Sequence, residues 1–285
     1  MKSISLMITT AVLLFSIISV AQTKYEPDSV FVYKNTTQGE LKMNVFKPQV
    51  SGCNKELPVI VFFFGGGWTG GSANQFYQQA RFFADKGMIA ISAEYRISGK
   101  HKTSPFESVT DGKSAIRYVR EHAAELGIDP EQVIASGGSA GGHVAVCTGV
   151  IEGFDEINEN LKISSVPNAM ILFNPVVDTT DKGYGAKKVV DRETEISPVH
   201  HIEKGIPPTL IFHGTADKTV PFENAERFTK LMQQAGNKCE LISYEGQDHG
   251  FFNGSFFRSG SDDVIFYEMM QKSFEFLSKI KLFKE

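Results

Sequence analysis

The sequence is poor in cysteine, in excess charge of either sign and in long apolar runs. Its three cysteines, Cys53, Cys147 and Cys239, are an odd number without ligand-spaced neighbours, which excludes a disulfide framework and gives no basis for a metal site. Cys147 falls in an apolar helical stretch and Cys239 at the start of a strand-like one, so both read as small buried hydrophobes. The 29 Lys and Arg against 33 Asp and Glu leave a formal net charge of −4, which offers nothing to a nucleic-acid partner. Repeats, low-complexity tracts and linkers are absent. With 41% hydrophobic and 22% charged residues, disorder, collagen and coiled coil are excluded.

The longest apolar run, Ile8 to Ile18, is broken by Thr9, Thr10 and Ser16 and is too short to span a bilayer. Lys2 before it and Ser19-Val20-Ala21 after it complete the pattern of a cleavable export leader over residues 1–21, with Gln22 the first mature residue. No cysteine follows the run for lipid attachment. The expectation is an exported protein, periplasmic or secreted, without stable membrane insertion. Residues 22–285 then suit one large α/β domain.

Eight short segments rich in β-branched and aromatic residues recur along the chain. Val30 to Lys34 and Leu41 to Phe46, separated by a polar stretch with Gly39, suit an antiparallel hairpin. Val59 to Phe64, Met88 to Ala93, Gln132 to Ser136, Ala169 to Phe173 and Thr209 to His213 are mostly continuous apolar runs, as expected of parallel strands covered on both faces. Glu240 to Tyr244 is the eighth. Helical patterns over Asn74 to Lys86, Phe106 to Leu126, Ala140 to Val150, Phe222 to Ala235 and Asp263 to Ile280 fill the gaps, several stopping at a glycine such as Gly87, Gly127 or Gly236. Asp111 is expected to cap the long helix that begins near Phe106. Only Val176 to Gly205 fits neither pattern.

Gly137-Gly138-Ser139-Ala140-Gly141 matches G-x-S-x-G directly after an apolar strand and before a helix. A strand-to-helix turn of that kind lifts a serine hydroxyl above the sheet edge, and its neighbours must be small to clear the adjacent backbone. A glycine-rich turn with a serine helix cap has the same composition. What separates the two is the remainder of the chain, because a serine nucleophile needs a base and an acid to orient that base. Asp217 follows the seventh strand and His249 the eighth, so Ser139, Asp217 and His249 occur in the order of an α/β-hydrolase triad, each at the carboxyl end of a parallel strand. Asp248 is the competing acid, but its adjacency to His249 gives it poor geometry for supporting that ring.

Phe64-Gly65-Gly66-Gly67-Trp68 closes the third strand, and its main-chain N–H groups are free of side-chain obstruction. Gly66, Gly67 and Ala140 are the expected oxyanion donors. Gly65, Gly67 and Gly70 also make G-x-G-x-x-G, the dinucleotide fingerprint, but they follow a hairpin rather than a first strand, and a nucleotide reading leaves Ser139, Asp217 and His249 as coincidences.

With these residues in place the chain resembles the α/β-hydrolases, and most closely the secreted carboxylesterases and acetylxylan-esterase-like enzymes related to the hormone-sensitive-lipase group, over about 200 residues from Pro58 to Phe252. The resemblance implies an eight-stranded, mostly parallel sheet with helices on both faces, a short cap insertion at 176–205, and ester hydrolysis by a serine nucleophile without cofactor or metal. Those families carry H-G-G-G-W, whose histidine braces the oxyanion loop. Phe64 cannot donate such hydrogen bonds, so the loop here must be held another way, with packing the expected one. Glu94-Tyr95-Arg96 and Ser197-Pro198 also match family elements, with loop support expected from the first. His143 reads as a packing residue and the His200-His201 pair as lacking a ligand constellation.

Residues 176–205 contain 11 charged residues in 30, unlike a lid that opens onto lipid. The expected substrate is therefore a short acyl group on a polar alcohol, such as an acetylated sugar or oligosaccharide. Trp68, the only tryptophan, is expected to wall the acyl pocket, to stack against sugar or to pack in the core. A serine peptidase, an inactive glycan-binding hydrolase fold and a lyase are the competing readings. Oligomeric state is not legible.

Overall fold

A computed structural model of the chain describes residues 25–49 and 56–282, so the leader over residues 1–21, Gln22 and Cys53 lie outside the described residues. Eight strands form one sheet: β1 (Ser29–Thr36), β2 (Gly39–Phe46), β3 (Leu57–Phe63), β4 (Ile89–Ala93), β5 (Ile128–Gly138), β6 (Ala169–Phe173), β7 (Thr209–Gly214) and β8 (Cys239–Tyr244). Their spatial order is β1-β2-β4-β3-β5-β6-β7-β8. β1 and β2 form the expected hairpin, β2 joins β4 antiparallel, and every later pairing is parallel.

Among the described residues seven α-helical segments accompany them: α1 (Tyr77–Asp85), α2 (Ser98–His101), α3 (Pro105–Glu121), α4 (Ala123–Leu126), α5 (Ala140–Val150), α6 (Phe222–Gln234) and α7 (Asp263–Lys279). α1 and α7 touch one another on one face of the sheet, whereas α3 and α5 pack together on the other. Covered on both sides, the middle strands need no alternation. Val59 to Phe63, Ile89 to Ala93 and Ala169 to Phe173 are buried throughout. α5 is likewise buried along almost its whole length, between β3, β5, β6 and α3. Cys147 on α5 and Cys239 on β8 are buried free thiols, and burial pushes the Cys239 thiol up to about 12.

The strand order positions the site. From β3 the chain moves outward to β4, then returns across β3 to continue on the other side with β5. The loops leaving the carboxyl ends of β3 and β5 therefore diverge, and a crevice opens between them at the switch point of the sheet. Phe63 pairs in register with Gly137, so the Gly65–Gly67 loop and Ser139 emerge side by side.

Two local expectations are corrected. The long helix pattern divides at His122, whose backbone (φ −104°, ψ 20°) leaves the helical region before the single turn α4. Asp111 does not cap α3. That role belongs to Ser104, whose hydroxyl accepts from Phe106 N–H while Glu107 accepts from Ser104 N–H, with Pro105 in the first turn. Asp111 lies further along and is fully buried. It accepts from the Arg96 guanidinium at 2.8 Å through both Nε and Nη2, from Arg96 N–H at 2.9 Å and from Lys34 Nζ at 2.7 Å. Glu156 lies 3.0 Å from Lys34, so two cations meet two carboxylates at a junction of β1, the β4–α2 connection, α3 and the segment after α5.

Candidate active site

Ser139 is the one residue between the end of β5 and the start of α5, at φ 57° and ψ −122°, a region that side chains rarely adopt. Local packing makes the conformation necessary. A Cβ on Gly141 would collide with the carbonyl oxygens of Phe63 and Phe64, and one on Gly138 with the Phe252 ring. Only a chain with glycine before the serine and small residues after it can turn this tightly between strand and helix. The turn is fastened by Ser139 N–H to Phe173 O (2.9 Å) and by Val176 N–H to Ser139 O (3.2 Å).

The three distant side chains meet. His249 Nε2 lies 2.8 Å from Ser139 Oγ and His249 Nδ1 lies 2.7 Å from Asp217 Oδ2. Asp217 has no exposed side-chain surface, and its other oxygen accepts from Thr219 N–H (2.8 Å) and Val220 N–H (3.0 Å). Burial alone would raise its pKa, but the nearby His213 ring and the hydrogen bonds from His249 and Val220 N–H outweigh it and hold the carboxyl well below the usual carboxylate range. Asp248 faces the other way: its exposed side chain makes a two-pronged pair with Arg258 at 3.1 and 3.0 Å.

Gly66 (φ 126°) and Gly67 (φ 63°) both lie in the left-handed half of backbone space. Among the described residues no group accepts a hydrogen bond from the N–H of Gly66, Gly67 or Ala140, and Gly66 and Gly67 line the cavity onto which Ser139 opens. That cavity is about 250 Å³, with Gln75, Tyr184, Thr219, His249, Phe252 and Asn253 also on its walls. The arrangement can deprotonate a hydroxyl and face a developing oxyanion with main-chain donors.

Packing does hold Phe64, whose ring stacks on Tyr95 at 4.3 Å, and polar contacts supply the remainder. Tyr95 donates its hydroxyl to Phe64 O (2.6 Å), and Gly65 N–H donates to Gln75 Oε1 (2.6 Å). Lys188, from the 176–205 segment, donates to Gly67 O (2.9 Å) and Thr69 Oγ1 (2.7 Å). Glu94 accepts from Lys42 N–H in strand β2.

Trp68 is corrected as a substrate contact. It is 1% exposed and absent from the cavity wall, because the 176–205 segment covers it, with Gly185 directly on its ring and Tyr184 5.7 Å away. Tyr184 takes the wall position instead. Trp68 also meets His143 edge-on at 5.0 Å; His143 is fully buried, its pKa pushed down to about 4 by burial, with Nε2–H donating to Ile196 O at 2.6 Å. His200 and His201 bond Ser197 Oγ and Thr194 O. Among the described residues no group of three His, Cys, Asp or Glu side chains is placed to hold a metal ion, and no helix is long and apolar enough to cross a membrane.

Sequence reasoning missed Asn174, Gln75 and Asn253. Asn174 follows β6 at φ 42° and donates through Nδ2 to Asp217 Oδ2 (2.9 Å) and to the carbonyl of His249 (3.0 Å). Its signal was a polar residue before Pro175 at a parallel strand's carboxyl end, the place where such sheets build sites. Gln75 and Asn253 carry no comparable local signal.

The BD-FAE family profile matches residues 43–187, and the dienelactone hydrolase family profile matches residues 169–280. Among solved structures, esterase 2 of Thermogutta terrifontis, phosphoramylated by tabun, is 44% identical over 90% of this chain and 96% of its own, with a TM-score of 0.84. The same esterase with propionate bound is 43% identical at equal coverage, with a TM-score of 0.83. The acetylxylan esterase of Xylanibacter ruminicola is 27% identical over 87% of this chain and 51% of its own length. An isoprenylcysteine alpha-carbonyl methylesterase of Arabidopsis thaliana is 26% identical over 73% and 54% respectively. The chain thus spans about half the length of most of these curated relatives, and 72% of the carboxylesterase NlhH of Mycobacterium tuberculosis. The eight-stranded sheet and these neighbours make the fold that of the α/β-hydrolases.

Proposed function

Since the chain belongs to the BD-FAE family and has the α/β-hydrolase fold, we propose that it is a serine carboxylesterase that removes short acyl groups from polar alcohols, acetylated carbohydrate foremost. One observation carries the reading: the unbroken line from Asp217 through His249 to Ser139, with hydrogen bonds of 2.7 and 2.8 Å, ending in a cavity lined by Gly66 and Gly67. His249 takes the Ser139 proton as Oγ attacks the ester carbonyl. The N–H groups of Gly66, Gly67 and Ala140 receive the oxyanion, each such donor being worth about 2.7–4 kcal/mol of transition-state stabilisation. His249 then protonates the departing alcohol. Water, deprotonated in turn by His249, releases the acid and regenerates the serine.

Size supports the substrate class. The cavity of about 250 Å³ accommodates a short chain against a mostly apolar wall that includes Phe252, with Tyr184 and Thr219 placing a few polar groups beside it. The related Thermogutta esterase has been seen with propionate and with butyrate bound, and an acetylxylan esterase is among the relatives. The leader pattern over residues 1–21 supports export, which amino-terminal sequencing of the mature protein tests by finding Gln22 first.

The function is tested by turnover of a short-chain chromogenic ester and of acetylated xylo-oligosaccharides, together with covalent labelling by a fluorophosphonate. Ser139→Ala is expected to abolish labelling and lower kcat by about 10⁴-fold or more. Labelling that persists in this variant refutes the nucleophile. Turnover of aminoacyl amides but not esters refutes the substrate class.

A further inference from the structure

Phe64 stands where the resembled families have a loop-bracing histidine, yet the loop it begins must still be fixed relative to the base. Two buried amides make that connection. Gln75 is 8% exposed and Asn253 is 5% exposed, and they come from segments 178 residues apart. Gly65 N–H donates to Gln75 Oε1 at 2.6 Å, Gln75 Nε2 donates to Asn253 Oδ1 at 2.9 Å, and Asn253 Nδ2 donates to Gly250 O at 2.9 Å. Gly250 directly follows His249.

Main-chain groups at the two ends fix the orientation of both amides. At one end an N–H requires an acceptor, at the other a carbonyl requires a donor, so turning either amide over breaks two bonds at once. The surroundings fasten the same two segments together. Gln79 Nε2 donates to Phe252 O at 3.3 Å, and Phe256 N–H donates to Gln78 Oε1 at 3.1 Å. Neither Gln75 nor Asn253 bonds the side chain of Ser139, Asp217 or His249.

We propose that Gln75 and Asn253 are positioning residues, a two-amide relay that holds the oxyanion loop and the His249 loop in register about the same substrate carbonyl. The inference rests on the serine-esterase reading above. It follows that breaking the relay damages the transition state more than ground-state binding, because donors and base must be set within fractions of an ångström at the moment of reaction.

Steady-state kinetics of the full-length protein on a short-chain chromogenic ester test this. Gln75→Leu is expected to lower kcat by about 10- to 100-fold while KM stays within about threefold of the parent. Gln75→Glu keeps the shape and supplies a sharper readout. A protonated carboxyl still accepts from Gly65 N–H and donates to Asn253 Oδ1, whereas the ionised form sets two oxygens against each other. The variant-to-parent kcat ratio should therefore fall as pH rises from about 5 to about 9. A carboxylate acting only by its charge on His249, the other ionisable base on this cavity, drives the ratio the opposite way. A flat or rising ratio overturns the relay, as does a Gln75→Leu kcat within about twofold of the parent. If Gln75→Leu does not fold, the isosteric Gln75→Glu decides alone. A parent protein without ester turnover overturns the esterase reading itself, a result distinct from the failure of the relay.

Discussion

Four donors converge on the Asp217 carboxylate, the main-chain N–H groups of Thr219 and Val220, the amide of Asn174 and the ring of His249, while His213 Nε2, which donates to Val220 O at 3.0 Å, lies 3.3 Å away. A group so surrounded stays ionised wherever an imidazole titrates, so it supplies a constant negative field to the base rather than a second ionisation. Asn174 adds a geometric constraint. Bonding both Asp217 and the His249 carbonyl, it fixes the acid relative to the loop that carries the base. Removing one hydrogen bond to a buried charge costs about 1.5–3 kcal/mol. Asn174→Ala should accordingly lower kcat on a short-chain ester by about 10-fold or more with little change in KM, and Asn174→Asp should do worse by placing a second anion against Asp217. A kcat for Asn174→Ala equal to the parent's would show that the main-chain donors suffice.

At the level of elements, legibility followed locality. Strands and long helices announce themselves through periodicity within about ten residues, and the eight apolar segments each became a strand of one sheet. Boundaries slipped where the cue was not periodic, as at His122. The triad residues were legible because each sits in a strand-end loop whose position follows from fold order. Gln75, Asn253 and Tyr184 were not, because the contacts that give them their place, Gln75 with Asn253 and Tyr184 with Trp68, join segments far apart in the chain. Asp111 was misread for the same reason, its partners Lys34 and Arg96 lying on other elements. Close approach of elements also separates two glycines of α5. A Cβ at Gly141 would strike the carbonyls of Phe63 and Phe64, which are fixed by the sheet, whereas one at Gly149 would meet the flexible end of Met170. Gly141→Ala should cost about 1–3 kcal/mol and most of the activity, because it wedges the nucleophile helix away from β3. Gly149→Ala, with its gain of up to about 1 kcal/mol in helix propensity, should stay near neutral. Equal urea midpoints for the two variants would contradict this account of the turn.

Across the whole molecule, the helix that follows the nucleophile is tied to the segment over the site by His143, through its bond to Ile196 O and its contact with Trp68. Complete burial keeps that ring neutral. Burial lowers the His143 pKa from an ordinary 6.5 to about 4, with the Ile196 hydrogen bond opposing only partly. Between those values the unfolded chain binds a proton that the folded chain refuses, so stability must fall as pH drops through this window. Asp217 has the same sign but acts at lower pH, since its depressed pKa withdraws stability only below the ordinary carboxylate range. Acid unfolding should thus begin with the histidine. From pH 7.5 to pH 5 the His143 contribution alone amounts to roughly 2 kcal/mol. Urea denaturation at those two pH values should show a decline of at least about that size in the parent protein, and His143→Gln should be less stable at pH 7.5 yet lose about 2 kcal/mol less on acidification. If the variant and the parent decline in parallel, the proton that first destabilises the fold binds elsewhere and His143 is not the group that sets its acid limit.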